Sequence, residues 1–101
     1  MTQIINGKKY STDTAELIGA DGFGHRRNFK WWREELYLKV TGEYFLHGEG
    51  GPLSKYVYYI SANEWCGCEK IIPLTLAEAK EWAKEHLNHD TYIKVFDESN
   101  K

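Results

Sequence analysis

The sequence contains few cysteines and no long hydrophobic run, and each shortage excludes a class of protein. Its two cysteines, Cys66 and Cys68, are separated by one residue. This loop is too short for an ordinary disulfide, and two thiols are fewer ligands than a structural zinc site needs. We therefore expect free thiols in a reducing compartment. No apolar run approaches the length of a membrane span, and residues 1–10 lack the apolar stretch of a secretory signal, so the protein is expected to be cytoplasmic and to bind no membrane.

The chain also lacks an excess of charge of either sign. Lysine and arginine total 13 and aspartate and glutamate total 15, which gives a formal net charge of -2. No global field would draw the whole molecule to nucleic acid or to an anionic membrane, so any such attraction has to be local. The 101 residues are the usual size of one domain, without an internal repeat or a linker. We predict a single domain over 1–101 with a frayed tail at about 97–101.

Aromatic residues are abundant by contrast, at 15% of the chain with four tryptophans and seven tyrosines. This is more than one core of this size is expected to hide. Exposed Trp, Tyr and Arg side chains are favoured anchors at protein interfaces. The surplus therefore predicts that several rings lie on the surface, and we assign Trp31, Trp32, Tyr56 and Tyr58 to this group.

Turn residues and side-chain alternation predict β structure in much of the chain. Asn6-Gly7 tolerates the positive φ angles of a type I′ turn, which favours a two-residue hairpin near residue 1. A three-residue loop at 40–42 would pair Leu38 with Tyr44 and collect apolar side chains on one face. The remaining predictions are strands at 15–19, 57–60 and 69–74 and irregular segments at 19–24, 48–52 and 61–67.

The clearest helix signal begins at Thr75. Thr75 can cap free backbone amides while Glu78 reaches back to close a capping box, and an apolar stripe continues to residue 87. Asn88 favours a left-handed end, after which residues 92–96 are predicted to form a last strand. The predicted fold class is α+β, with a twisted antiparallel sheet of about four to six strands and one amphipathic C-terminal helix (about 76–87) packed on one face.

A segment in which basic and aromatic residues alternate, at 25–33, is the sharpest local feature. Such a segment can stack bases or clamp phosphates. It can equally bury Phe29 and one tryptophan in the core while the arginine stems cover apolar surface. Both interpretations stay open at the level of sequence.

Other polar groups give weaker signals of chemistry. His47 and Glu49 can form an acid–base pair, but no nucleophile or oxyanion donor can be placed beside them. The glycines that follow lack the Gly-Lys-Ser/Thr ending of a phosphate loop. Cys66 and Cys68 would need two histidines to complete a zinc site, and the histidines show no ligand spacing.

We therefore predict no catalytic residue, no metal site and no cofactor. The predicted partner-binding residues are Arg26, Arg27, Lys30, Trp31, Trp32, Arg33, His47, Glu49, Tyr56 and Tyr58.

Three segments, at 6–17, at 44–56 and at 72–75 with the helix after it, carry a resemblance to a known group. Together they resemble small accessory proteins of phages and conjugative elements of Gram-positive bacteria, over most of the chain. Trp65-Cys66-Gly67-Cys68 departs from the glycine-richer stretch of that group. Accessory proteins of mobile elements often inhibit host defence stoichiometrically, anti-CRISPR proteins among them, so the resemblance implies this class and the cytoplasm of a bacterial host.

Three hypotheses on function follow. The preferred one, because of the aromatic surplus, is a mobile-element accessory protein that binds a host protein or ribonucleoprotein of a defence system and is not an enzyme. The second is a small nucleic-acid-binding protein that uses segment 25–33. The third is an enzyme built on His47 and Glu49.

Overall fold

Strands precede helices along the chain. The structure is a computed structural model and describes residues 1–62 and 64–96, without the side chains of Ile60 and Trp65. The predicted frayed tail lies outside these residues. The elements within them are β1 (Thr2–Ile5), β2 (Lys8–Ser11), β3 (Glu16–Phe23), β4 (Trp32–Leu38), β5 (Tyr44–Gly50), β6 (Val57–Ser61), β7 (Glu64–Leu74), α1 (Leu76–His86) and α2 (His89–Phe96).

The strands pair in two antiparallel sheets. β1 and β2 form a hairpin of their own, and the other five strands follow the order β3-β4-β5-β7-β6. The predicted α+β class, with an antiparallel sheet and a C-terminal helix on one face, is confirmed. Among the described residues, no helix is long and apolar enough to span a membrane.

Turn chemistry fixes both predicted hairpins. Asn6 and Gly7 have φ angles of 52° and 78°, as a type I′ turn requires. Gly42 has a φ of 91°, and the loop at 40–42 pairs Leu38 with Tyr44. Both predictions of register are therefore confirmed.

Alternation along β4 and β5 gives the sheet two buried faces. On one face, Leu36 and Leu46 pack with Trp82, Phe96 and two alanines of α1. A second cluster lies on the other face, where the β1–β2 hairpin contributes Tyr10. Its buried members are Tyr10, Tyr37, Phe45 and Ile71. Both clusters use residues 36–37 of β4 and 45–46 of β5. The two strands stay paired beyond these residues, as far as Trp32 and Gly50.

The capping box at the start of α1 is confirmed. The Thr75 amide donates to Glu78 Oε1 at 2.8 Å, and the Glu78 amide donates to Thr75 Oγ1 at 3.1 Å. Ala79, Trp82 and Ala83 are buried against the sheet. The helix ends one residue before the predicted boundary.

The predictions for the segment after α1 are wrong. Leu87 ends the helix in an extended conformation, and Asn88 instead accepts a hydrogen bond from the Thr91 amide at 2.8 Å. Asn88 therefore caps the start of α2, and residues 92–96 are helical rather than a strand. Helical spacing brings the rings of Tyr92 and Phe96 to 5.4 Å, on the helix-covered face of the sheet.

Three segments predicted to be irregular are largely strand. β3 runs through 19–23, β5 includes 48–50, and β7 begins at Glu64. The predicted strands at 57–60 and 69–74 are confirmed. Close packing explains why one strand position in these segments is a glycine: a Cβ added at Gly48 would clash with the Tyr56 hydroxyl.

Candidate partner-binding surface

The loop between β3 and β4 presents the basic and aromatic segment to solvent. Short turns shape it: the Asn28 amide donates to the His25 carbonyl at 2.7 Å, and the Trp31 amide donates to the Asn28 carbonyl at 2.9 Å. Residues 24–30 are all exposed, and 64% of Phe29 is accessible. The interpretation in which Phe29 is buried in the core is therefore wrong.

The loop between β5 and β6 packs against this first loop. The Gly51 amide donates to the Trp31 carbonyl, and the Leu53 amide donates to the Phe29 carbonyl, each at 2.9 Å. These bonds place Leu53, which is 53% exposed, beside the exposed Phe29. Leu53 and Tyr59 also line one cleft of about 290 Å³.

Two grooves meet where these loops join the ends of the strands. The larger, of about 500 Å³, is lined by Phe23, Trp32 and Arg33 among others. The smaller, of about 270 Å³, lies on the 50–52 side. Arg26, Trp31 and Glu49 line both grooves.

Arg26 makes two contacts at this boundary. Its guanidinium carbon lies 4.7 Å from the centre of the Trp31 ring, and its Nη2 lies 3.3 Å from Glu49 Oε1. Arg26 and Trp31 together therefore form a cation–π stack at the boundary of the two grooves. Such Arg–aromatic stacks are frequent anchors in binding sites.

We define the loop-end surface as loops 24–31 and 51–56 together with Phe23 and Tyr59. Phe23, Phe29, Leu53 and Tyr59 are each more than half exposed. Of the five cations in or beside this surface, three have carboxylate partners: Arg26 at 3.3 Å, Arg33 at 3.6 Å and Lys55 at 2.7 Å. Within the described part of the chain, Arg27 and Lys30 have none within 4.0 Å, so the surface carries a local excess of positive charge.

The structure brings together most of the ten predicted residues, but not all. Arg26, Trp31, Trp32, Arg33 and Glu49 line the larger groove, and Arg27 and Lys30 lie in the adjoining loop. Tyr58 is 60% exposed on β6, where successive side chains point to opposite faces, so it lies on the other side of that strand from Tyr59.

The assignment of Tyr56 to the surface is wrong. This side chain is only 1% exposed, and its hydroxyl donates a hydrogen bond to the buried Glu34 carboxylate. Burial and this hydrogen bond raise the pKa of Tyr56. The ring fits in the space that the missing side chain of Gly48 leaves.

His47 contacts two carboxylates, and Glu49 is not one of them. Its Nδ1 lies 2.9 Å from Glu35 Oε1 and its Nε2 lies 2.8 Å from Glu69 Oε2. Burial lowers the pKa of His47, but the hydrogen bonds to the two carboxylates outweigh it and the pKa lies above its ordinary value. Glu49 pairs with Arg26 instead, so the predicted His47–Glu49 pair does not form.

A buried carboxylate, Glu34, is not among the predicted site residues and is 1% exposed. It accepts hydrogen bonds from the Tyr56 hydroxyl, from Trp82 Nε1 at 2.9 Å and from Lys55 Nζ at 2.7 Å. Burial would raise its pKa, but these three donors outweigh burial and lower it. The alternation of side chains along β4 could have indicated its burial, because Glu34 is two residues from Leu36 and points to the same buried face.

A histidine of α1 lies at the border of the Glu34 site. His86 Nδ1 is 2.8 Å from Asp21 Oδ2, and its Nε2 is 4.0 Å from Glu34 Oε1. The hydrogen bond from His86 lowers the pKa of Asp21. We call Glu34, Lys55, Tyr56, Trp82 and His86 the Glu34 cluster.

The two cysteines are half-buried free thiols on β7. Cys68 Sγ lies 2.9 Å from the Tyr56 carbonyl and donates to it. Across the residues that the structure covers, no group of three or more His, Cys, Asp or Glu side chains is placed to hold a metal ion. Comparison of the chain with protein-family models, with curated proteins and with solved structures gives no match.

Proposed function

We propose that the protein acts by stoichiometric binding of one macromolecular partner through the loop-end surface. The observation that carries the proposal is the pairing of Phe29 and Leu53, whose backbones share a hydrogen bond and whose large apolar side chains are 64% and 53% exposed. Apolar side chains that lie together on a surface, next to aromatic and arginine residues, are typical of protein interfaces.

The charge of the loop-end surface indicates the kind of partner. Four cations lie in or beside loop 24–31, and two carboxylates pair with them. Exposed cations accelerate association with an acidic surface and disfavour a basic one. The partner is therefore a protein that presents carboxylates around an apolar patch.

The resemblance to accessory proteins of mobile elements supplies the biological setting. A small binding protein from a phage or conjugative element would act in the cytoplasm of its bacterial host. Its partner would be a protein or ribonucleoprotein of a host defence system, and binding would inhibit it, as anti-CRISPR proteins do.

The stacking of Arg26 on Trp31 favours nucleic acid as the second candidate partner. A base can stack on the same aromatic and guanidinium groups, and exposed cations can neutralise phosphates. Nucleic-acid binding depends much more steeply on salt than binding dominated by apolar contacts does.

Capture from a bacterial lysate with matched variants tests the proposal. Phe29→Ala and Arg27→Glu change exposed side chains of the loop-end surface. Val40→Ala and Lys94→Glu make the same kinds of change at exposed positions outside it. We expect one protein to be retained by the wild type and by both controls, and its affinity to fall at least about tenfold for Phe29→Ala and Arg27→Glu.

The purified complex should have a 1:1 stoichiometry by light scattering. Equal capture by all four well-folded variants would contradict the choice of surface. Loss of capture after nuclease treatment would favour the nucleic-acid candidate instead.

A further inference from the structure

We propose that Glu34 is the positioning residue of the loop-end surface. Although it is buried and does not face the partner, its carboxylate holds loop 51–56 in place, and that loop in turn holds loop 24–31. The inference rests on the function proposed above, because it explains how the surface is kept ready to bind.

The Glu34 cluster joins three parts of the chain. Glu34 lies on β4, Lys55 and Tyr56 lie at the end of loop 51–56, and Trp82 lies on α1. The Lys55 ammonium is 2.7 Å and the Trp82 indole nitrogen 2.9 Å from the carboxylate, which also accepts from Tyr56. No buried side-chain polar atom in the described residues lacks a hydrogen-bond partner.

The buried carboxylate of Glu34 favours one position of loop 51–56. An ionised carboxyl group is strongly destabilised in an apolar interior unless donors surround it. If loop 51–56 moved away, Glu34 would lose both Lys55 and Tyr56 and keep the indole at 2.9 Å and His86 Nε2 at 4.0 Å. The position of the loop is therefore coupled to the solvation of Glu34.

The glycine at position 48 adds a steric constraint. Any larger residue there would clash with the Tyr56 hydroxyl, so Gly48 opens the slot into which the Tyr56 ring fits. The charge of Glu34 and the shape of this slot select the same place for Tyr56.

A short series of hydrogen bonds leads from the cluster to the exposed residues. The Tyr56 amide donates to Ser54 Oγ at 3.1 Å, and that hydroxyl donates to the Gly51 carbonyl at 2.7 Å. The amides of Gly51 and Leu53 then donate to the first loop, as described above. Loops held in their bound shape before association lose less entropy on binding.

Amide exchange in the free protein tests the inference without a partner. Lys55→Met removes only the ammonium from a side chain that is 58% exposed, and Tyr56→Phe removes only the hydroxyl. We expect the Gly51 and Leu53 amides to exchange at least about tenfold faster in both variants, because their loop opens more often. Lys55→Arg keeps a cation beside Glu34 and should restore slow exchange.

A core variant distinguishes positioning from general stability. Ile71→Val removes one methylene from the hairpin-side cluster, which does not include the Glu34 cluster. It should lower the melting temperature and leave the exchange of Gly51 and Leu53 unchanged relative to core amides. Faster exchange at these two amides relative to core amides in Ile71→Val, or unchanged exchange in both Lys55→Met and Tyr56→Phe, would overturn the inference.

Partner binding then separates the two proposals. If positioning and function are both correct, Lys55→Met slows association with the captured partner and Lys55→Arg restores it. If the exchange results appear as expected but Phe29→Ala leaves capture intact, the loops are positioned by Glu34 and only the proposed function is overturned.

Discussion

Glu34 and His47 are two ionisable residues held on opposite faces of one sheet, and their surroundings differ. Glu34 points to the helix-covered face and accepts from three donors. His47 points to the other face and lies between Glu35 and Glu69. In both cases the charged form is favoured by neighbours rather than by water, so each charge depends on the fold.

The raised pKa of His47 gives a prediction for stability against pH. A group whose folded pKa is raised stabilises the fold fully below its unfolded pKa, about 6.5 for histidine, and this contribution is lost as pH rises through the folded pKa. The free energy of unfolding of the wild type should therefore exceed that of His47→Gln by more at about pH 6 than at about pH 9. Chemical denaturation at both pH values measures the difference.

The exposed His89 provides the control. His89→Gln makes the same substitution at a histidine whose ring nitrogens do not lie between two carboxylates in the described structure, and the two variants are compared directly. An NMR titration that places the pKa of His47 at or below about 6.5 would contradict the account.

At the scale of elements, the sequence predicted what adjacent residues decide. The Asn6-Gly7 turn and the capping box at Thr75 are complete within four residues, so their signals are local. The sequence predicts an irregular segment at 48–52 because three glycines and a proline disfavour a strand. In the structure Gly48 faces Tyr56 and Gly50 faces Ser54, so the place of both glycines in β5 depends on side chains from the following loop. Residues 92–96 suit a strand or a helix by composition, and packing of Phe96 on the sheet selects the helix.

The same distinction applies to the candidate surface. The sequence left open whether Phe29 of the basic and aromatic segment is buried or exposed, and the structure shows that residues 24–30 are exposed. The burial of Tyr56 could not be predicted from its neighbours, because it requires both the carboxylate of Glu34 and the open space at Gly48.

The cap of α1 provides a prediction at the element scale. Thr75→Ala removes the side chain that accepts from the Glu78 amide, and this should lower the free energy of unfolding by about 1 kcal/mol. Thr75→Ser keeps the hydroxyl and should remain close to the wild type. Thermal denaturation of the three proteins measures the effect, and equal losses in both variants would show that the hydroxyl is not the cause.

On the scale of the whole molecule, the buried apolar clusters and the exposed apolar side chains of the loops lie at opposite ends of β4 and β5. Both apolar clusters use the part of β4 and β5 near the 40–42 loop, where the helices and the β1–β2 hairpin pack. The other end carries two connected loops with exposed apolar and basic side chains. The loop-end surface lies beyond both clusters and is joined to the helix-side cluster through Glu34 and Trp82, so its exposed side chains are available for binding.

Hydrogen exchange of the protein with and without its captured partner tests this account most directly. We expect binding to slow exchange in 24–31 and 51–59 and to leave α1, α2 and the β1–β2 hairpin unchanged. Slowed exchange along the exposed side of α1 and α2, with both loops unchanged, would contradict it.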